Sequence, residues 1–292
     1  MRTVILFMHV YLEGYQTEKI YMQLRKLRWR RLLLLFALGL TYRTNAQKFS
    51  TASPASGPFT KLVWQDEFEQ DGLPDPSKWT YDTGFIANHE IQYYTSGRME
   101  NARVHNGYLE ITLRNDSFLI SGVVHPITSS RIKTEGIASW TYGKLEVRAK
   151  IPSSLGTWPA IWTLGSNISS AGWPTCGEID IMEHVGFMPD TLHFTEHSAT
   201  SDKGGRIYSS SPSKDFHIYA IEWYSDRIDW FFDGRKVFTY HNDHTGNSSW
   251  PYDKPQFMIL NLAFGGDWGG TKGVDVRALP QRFLVDYVRV YQ

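Results

Sequence analysis

The sequence predicts an all-β protein, a sandwich of two antiparallel sheets of jelly-roll kind. Three observations carry the prediction. Beyond residue 58 the chain is a series of short runs rich in Val, Ile, Tyr, Phe and Trp, separated by turn pairs such as Asn106-Gly107 and Asp233-Gly234. Lys144–Ile151 alternates polar and apolar residues over its whole length, the mark of a strand with one face on a core. No comparable segment after residue 50 repeats at the period of a helix. A closed barrel is the alternative topology.

In chain order, Arg25, Lys26, Arg28, Arg30 and Arg31 precede the apolar run Leu32–Leu40 and then Thr44-Asn45-Ala46. That layout is a secretory signal, so residues 1–46 are expected to be an N-terminal extension and signal peptide of an extracellular or periplasmic protein. The apolar run is nine residues long, too short for a stable membrane span. Met22 reads as a more natural start than Met1. Residues 47–58, with Ser50–Pro58 at their end, form a flexible lead-in, and no later Pro/Ser-rich stretch divides residues 59–292, which read as one domain. Strands are expected at Tyr108–Arg114, Gly143–Ile151, Ile218–Trp223, Ile228–Phe232, Lys236–Tyr240, Phe257–Ala263 and Phe283–Tyr291.

The 292 residues carry 30 Lys/Arg and 30 Asp/Glu. Without residues 1–46 the balance is 22 basic to 28 acidic side chains, which does not favour nucleic acid or anionic membranes as partners. Cys176 is the one cysteine, so an internal disulfide and a multi-cysteine zinc site are excluded. It reads as an inert buried thiol. Eleven Trp and sixteen Tyr call for a stacking surface, a core, or both.

Gly177–Glu183 places Glu178, Asp180 and Glu183 within six positions, among Ile179, Ile181 and Met182. A strand that buries its isoleucines puts Glu178 and Asp180 on the other face. Glu183, at an odd offset from Glu178, joins them only if the strand carries an extra residue, so a bulge is expected around Ile181-Met182. Acids that repel one another in a cleft make sense if their pKa values are driven apart. A protonated and an ionised Glu about 5–5.5 Å apart are the equipment of a retaining glycosidase, with Asp180 hydrogen-bonding the nucleophile. A solvated acidic edge or a calcium site is the alternative use of such a cluster. Trp158, Trp162 and Trp173 lie just upstream, and Trp268 stands among four glycines, aromatic faces suited to pyranose rings.

Together with Trp64–Phe68, Leu73–Trp79, Glu90–Thr95, Tyr142–Glu146, Trp158–Trp162, Phe216–Trp223 and Asp286–Tyr291, the acidic segment resembles glycoside hydrolase family 16, and within it the bacterial laminarinase-type endo-β-1,3-glucanases. The resemblance covers about residues 60–292. It implies a jelly-roll with a concave glycan-binding cleft. It makes Glu178 similar to the nucleophile, Asp180 to the assisting carboxylate and Glu183 to the general acid/base, on the branch with a bulged catalytic strand. By the same likeness Trp158 and Trp162 are cleft aromatics, Asn88 and Arg131 bond sugar hydroxyls, and His197 lines the scission point. His193 shares a strand face with His197, whereas His184 and His217 read as packing histidines.

The resemblance further implies no cofactor for catalysis, and a non-catalytic structural Ca2+ at Glu67, Gly107 and Asp286. Two departures, Asp267 and Phe194-Thr195-Glu196, are expected near the subsites. The expected activity is double-displacement hydrolysis of β-1,3-glucan or mixed β-1,3/1,4-glucan by a secreted monomer. The alternatives are the same chemistry on agarose or another galactan, transglycosylation, and a non-catalytic β-glucan-binding protein. Sequons stand at Asn115, Asn167 and Asn247.

Overall fold

The two-residue turns close as expected. Asn106-Gly107 joins β4 (Ala102–His105) to β5 (Tyr108–Ile120), and Asp233-Gly234 joins β14 (Arg227–Phe232) to β15 (Arg235–His241). All four turn residues have positive φ, as the turn that matches strand twist requires. These elements belong to a computed structural model that describes residues 58–292. The expected signal peptide and all but the last residue of the lead-in lie outside the described residues.

Two sheets make the sandwich. The larger has ten strands, along the path β15, β14, β13 (His217–Trp223), β8 (Gly143–Lys150), β17 (Gln281–Tyr291), β5, β6 (Val123–Ser129) and β3 (Tyr93–Tyr94). Off this path β1 (Leu62–Asp66) pairs with β17 and β4 with β5. The smaller has seven, in the order β12 (Asp202–Tyr208), β11 (Thr191–His197), β10 (Glu178–Glu183), β9 (Thr157–Gly165), β16 (Gln256–Phe264), β7 (Arg131–Lys133) and β2 (Thr80–Asp82). Every pairing but β3 with β6 is antiparallel. The sheets remain separate, so the barrel alternative does not apply. Among the described residues helix is confined to α1 (Ile168–Ala171), α2 (Gly266–Gly269) and one 3-10 turn. Among the described residues no helix is long and apolar enough to cross a membrane.

The inner faces form one core. Ile179, Ile181, Met182, Leu192 and Phe194 of the smaller sheet meet Val147, Tyr219, Trp230 and Val285 of the larger. Each such side chain contributes about 1.5–3 kcal/mol by leaving water. The core reading of Cys176 holds, since it is fully buried and burial raises its thiol pKa.

Candidate active site

The seven-stranded sheet turns its outer face to a cleft of about 460 Å³. Its register shows how the acids reach it. Asp180 stands opposite Trp162 of β9 and Met182 opposite Ile161, so two residues of β10 answer one of β9. The pairing with β11 shifts at the same place, from Asp180↔Thr195 to Glu183↔His193. Ile181 and Met182 are both fully buried, and the extra residue returns Glu183 to the face of Glu178 and Asp180. All three line the cleft.

Each acid has its own partner. The Trp173 indole N–H donates to Glu178 Oε2 at 3.0 Å and that of Trp158 to Glu183 Oε1 at 2.9 Å. His197 Nε2 lies 3.2 Å from Asp180 Oδ2 and 3.9 Å from Glu178 Oε1, and its Nδ1 is 3.4 Å from Asp202. The contact with Asp180 is an ion-pair distance without hydrogen-bond alignment. Burial, and then the charge of a neighbouring acid, hold Glu178 and Asp180 well above the usual carboxylate range. Burial also raises Glu183, against the lowering effect of the Trp158 N–H. The cluster therefore retains a proton where isolated carboxyls would have lost theirs, as an acid/base pair requires.

The cleft gathers most of the expected ligand residues. Asn88, Arg131, Trp158 and Trp162 line it with the acids. Arg131 sits 4.6 Å from the Trp162 ring centroid and ion-pairs with Asp82 at 2.8 Å, so its charge is already matched. Trp268 is half-buried and packs edge-on against the cleft residue Trp158, at 5.4 Å, and against His193, at 4.8 Å. The glycines before it serve close approach: a Cβ on Gly266 would lie 2.7 Å from the Asn88 carbonyl, at a φ of +74°.

Both departures adjoin cleft residues: the Asp267 N–H donates to the Asn88 carbonyl at 2.8 Å, and Phe194-Thr195-Glu196 separates His193 from His197 on β11. Phe194 and Glu196 point into the sandwich, where Tyr252 donates to Glu196 at 2.7 Å, because alternation leaves only Thr195 on the histidines' face. Asp267 bonds exposed His89 at 3.0 Å on the rim. His193 and His197 do share a face, opposite Glu183 and Glu178. His184 is buried, its pKa pushed down to about 4 by desolvation, and His217 bonds Asp233 at 2.7 Å.

Two cleft residues, Asn261 and Glu90, escaped the sequence reading of roles, and Trp173, read there as a stacking face, is also a donor. Trp173 is 60% exposed, yet its N–H is fixed on the nucleophile candidate. Asn261 accepts from the Trp162 indole at 2.8 Å and donates to the Tyr94 hydroxyl at 3.1 Å. Its signal was a lone amide in the apolar run Phe257–Phe264. Glu90 accepts from Gln92 and Tyr94 at the cleft wall.

The expected calcium residues belong to the other sheet. Glu67 follows β1 and takes both prongs of the Arg289 guanidinium, at 2.7 and 2.9 Å. Asp286 accepts from Arg148 at 2.7 Å. The oxygens are of the kind calcium takes, and both carboxylates also carry cationic partners.

Residues 89–289 match the Glycosyl hydrolases family 16. This chain belongs to family 16. It is 47% identical over 250 residues to the "Beta-glucanase" of Rhodothermus marinus, covering 80% of this chain and 86% of that one. The laminarinase structure from Rhodothermus marinus superposes with a TM-score of 0.75 at 47% identity, over 80% of this chain and 97% of its own. A glutamate-to-serine mutant of SCLam, a non-specific endo-β-1,3(4)-glucanase, superposes with a TM-score of 0.76 at 45% identity, over 80% of this chain and 94% of its own. The jelly-roll of family 16 thus carries the bulged acids of this chain on its seven-stranded sheet.

Proposed function

We propose that this family 16 chain is a secreted endo-acting hydrolase of β-1,3-glucan, or of mixed β-1,3/1,4-glucan, that works by double displacement with retention. The observation that carries the reading is the set Glu178, Asp180 and Glu183 on one cleft face, with separate indole donors on the two glutamates. Glu178 attacks the anomeric carbon while Glu183 gives its proton to the departing glycosidic oxygen. The glycosyl ester on Glu178 is then opened by water, whose proton returns to Glu183. Asp180, beside the nucleophile and near His197, holds the local proton in place. The mechanism needs no cofactor.

The cleft's charge favours a neutral polymer over a sulfated one. Four carboxylates (Glu90, Glu178, Asp180 and Glu183) line it, and its one cation among the described residues, Arg131, is matched by Asp82. Sulfated galactans would meet net repulsion there, whereas a neutral glucan offers ring faces to Trp158 and Trp162 and hydroxyls to Asn88.

Incubation of the exported chain and its Glu178→Ser variant with laminarin, lichenan and agarose tests the reading. Laminarin oligomers of retained configuration are expected from the parent, with a loss of roughly 10³-fold or more in the variant. Equal rates overturn the nucleophile assignment, and activity on agarose alone overturns the choice of glucan. A monomer is expected by light scattering. Structural calcium at Glu67, Gly107 and Asp286 is tested with EDTA: a lowered melting temperature supports it and an unchanged one removes it from the account.

A further inference from the structure

The bulge in β10 poses a problem that apolar packing does not solve. Ile181 and Met182 are consecutive, apolar and fully buried, so burial alone does not decide which of them is the extra residue. A slip by one position would turn Glu183 toward the core and bury an acid among Ile179, Leu192 and Phe194. A directional bond at the break would remove the ambiguity.

Such a bond is present. Asp180 is the last residue in regular register on both flanks of β10 before the shift. Its carbonyl accepts the indole N–H of Trp230 at 2.8 Å. Trp230 stands on β14 of the opposite sheet and is fully buried, against Phe238 at 5.2 Å. A buried indole nitrogen needs a partner, and this one finds a main-chain oxygen in the facing sheet, at the residue where the ladder changes step.

We propose that Trp230 is a positioning residue for catalysis: its N–H crosses the core to hold the Asp180 carbonyl, fixes the origin of the bulge, and so sets where Asp180 and Glu183 point. It touches no substrate and acts through the strand. The inference rests on the catalytic reading of the three acids.

The test replaces Trp230 with Phe and, in a second protein, with benzothienylalanine, which keeps the ring shape and lacks the N–H. Trp79→Phe is the control, because Trp79 is as buried and donates to Asp66 at the same 2.8 Å, away from the cleft. Both 230 variants are expected to lose roughly 10- to 100-fold in kcat on laminarin, with KM within about twofold and a displaced pH profile. Trp79→Phe is expected to melt earlier while keeping the parental kcat and profile. A benzothienylalanine protein with parental kcat and pH limbs overturns the proposal, as does an equal loss in the Trp79 control. Titration of the glutamate carboxyls by 13C NMR reads the same geometry without substrate. Displaced Glu178 and Glu183 curves in the 230 variants alone support the proposal whichever polymer the parent cleaves, and unmoved curves overturn it.

Discussion

Replacing Glu178 by Gln removes a charge from the cluster and keeps its shape, so it separates what the acid does for catalysis from what it does to stability. The ligand atoms of Glu178, Asp180 and His197 all lie within 4.8 Å of one another. Two carboxylates at that distance repel by about 3.5 kcal/mol at an effective dielectric of 20. The imidazole 3.9 Å from Glu178 and the Trp173 N–H at 3.0 Å offset part of this, leaving about 1–2 kcal/mol against the fold. The variant is therefore expected to melt about 2–8 °C higher than the parent at neutral pH, while hydrolysis falls by roughly 10³-fold. The sign in pH follows from the raised Glu178 carboxyl. A folded state that prefers the neutral acid has that preference in full below the ordinary carboxylate range and loses it as pH rises through the raised value. The Gln variant's advantage should accordingly be small near pH 4 and grow toward neutrality. Calorimetry at both pH values measures it, alongside reducing-sugar release. A variant that melts lower than the parent at neutral pH, or whose gain does not depend on pH, would refute the argument from buried like charges.

Trp158→Phe removes the N–H that favours ionised Glu183, so the carboxyl should rise further and carry the alkaline limb of kcat/KM to higher pH; a limb that stays in place contradicts the acid/base role. His184 is pushed down to about 4 by burial, from an ordinary value near 6.5. Its contribution to stability is complete above that ordinary value and is lost as pH falls toward 4, a difference of about 3 kcal/mol. His184→Leu should flatten the acid side of the melting curve against pH, and an unchanged slope would assign that side to other groups.

The bulge was legible in the sequence because it follows from counting: two isoleucines fix the buried face, and the odd offset of Glu183 then demands one extra residue. The strands with apolar alternation were legible for the same reason, although β5 runs on to Ile120, six residues past its expected end, in a hairpin with β6 whose outer residues carry no pattern. β11 was legible only through the even spacing of its histidines, because Glu196 puts an acid at an inward position, held there by Tyr252, Ser201 and the Lys203 amide. Trp173 and Trp230 were visible as aromatics and not as donors, because each partner is supplied by the fold: one from a loop that returns on Glu178, the other from the opposite sheet. The glycines around Trp268 suggested exposure, but their use is backbone contact with the Asn88 loop.

One strand thus separates two requirements that conflict in a single environment. Catalysis needs acids crowded at one point and poorly hydrated, so that protons are retained. Folding resists that crowding, and the acids stay together because the opposite side of β10 is apolar and fixed: Ile179, Ile181 and Met182 in the core, and the Asp180 carbonyl on Trp230. The crowding also selects the ligand. A cleft whose carboxylates outnumber the one matched guanidinium among the described residues should repel anionic polymers, and on the proposed reading it holds a neutral ring with an apolar face for Trp162 and hydroxyls for the amides. On this reasoning a preference for an uncharged glycan arises from the same buried acids proposed to cleave it, so a substitution that neutralises Glu178 should weaken discrimination against sulfated chains in binding even as it abolishes hydrolysis of the neutral glycan.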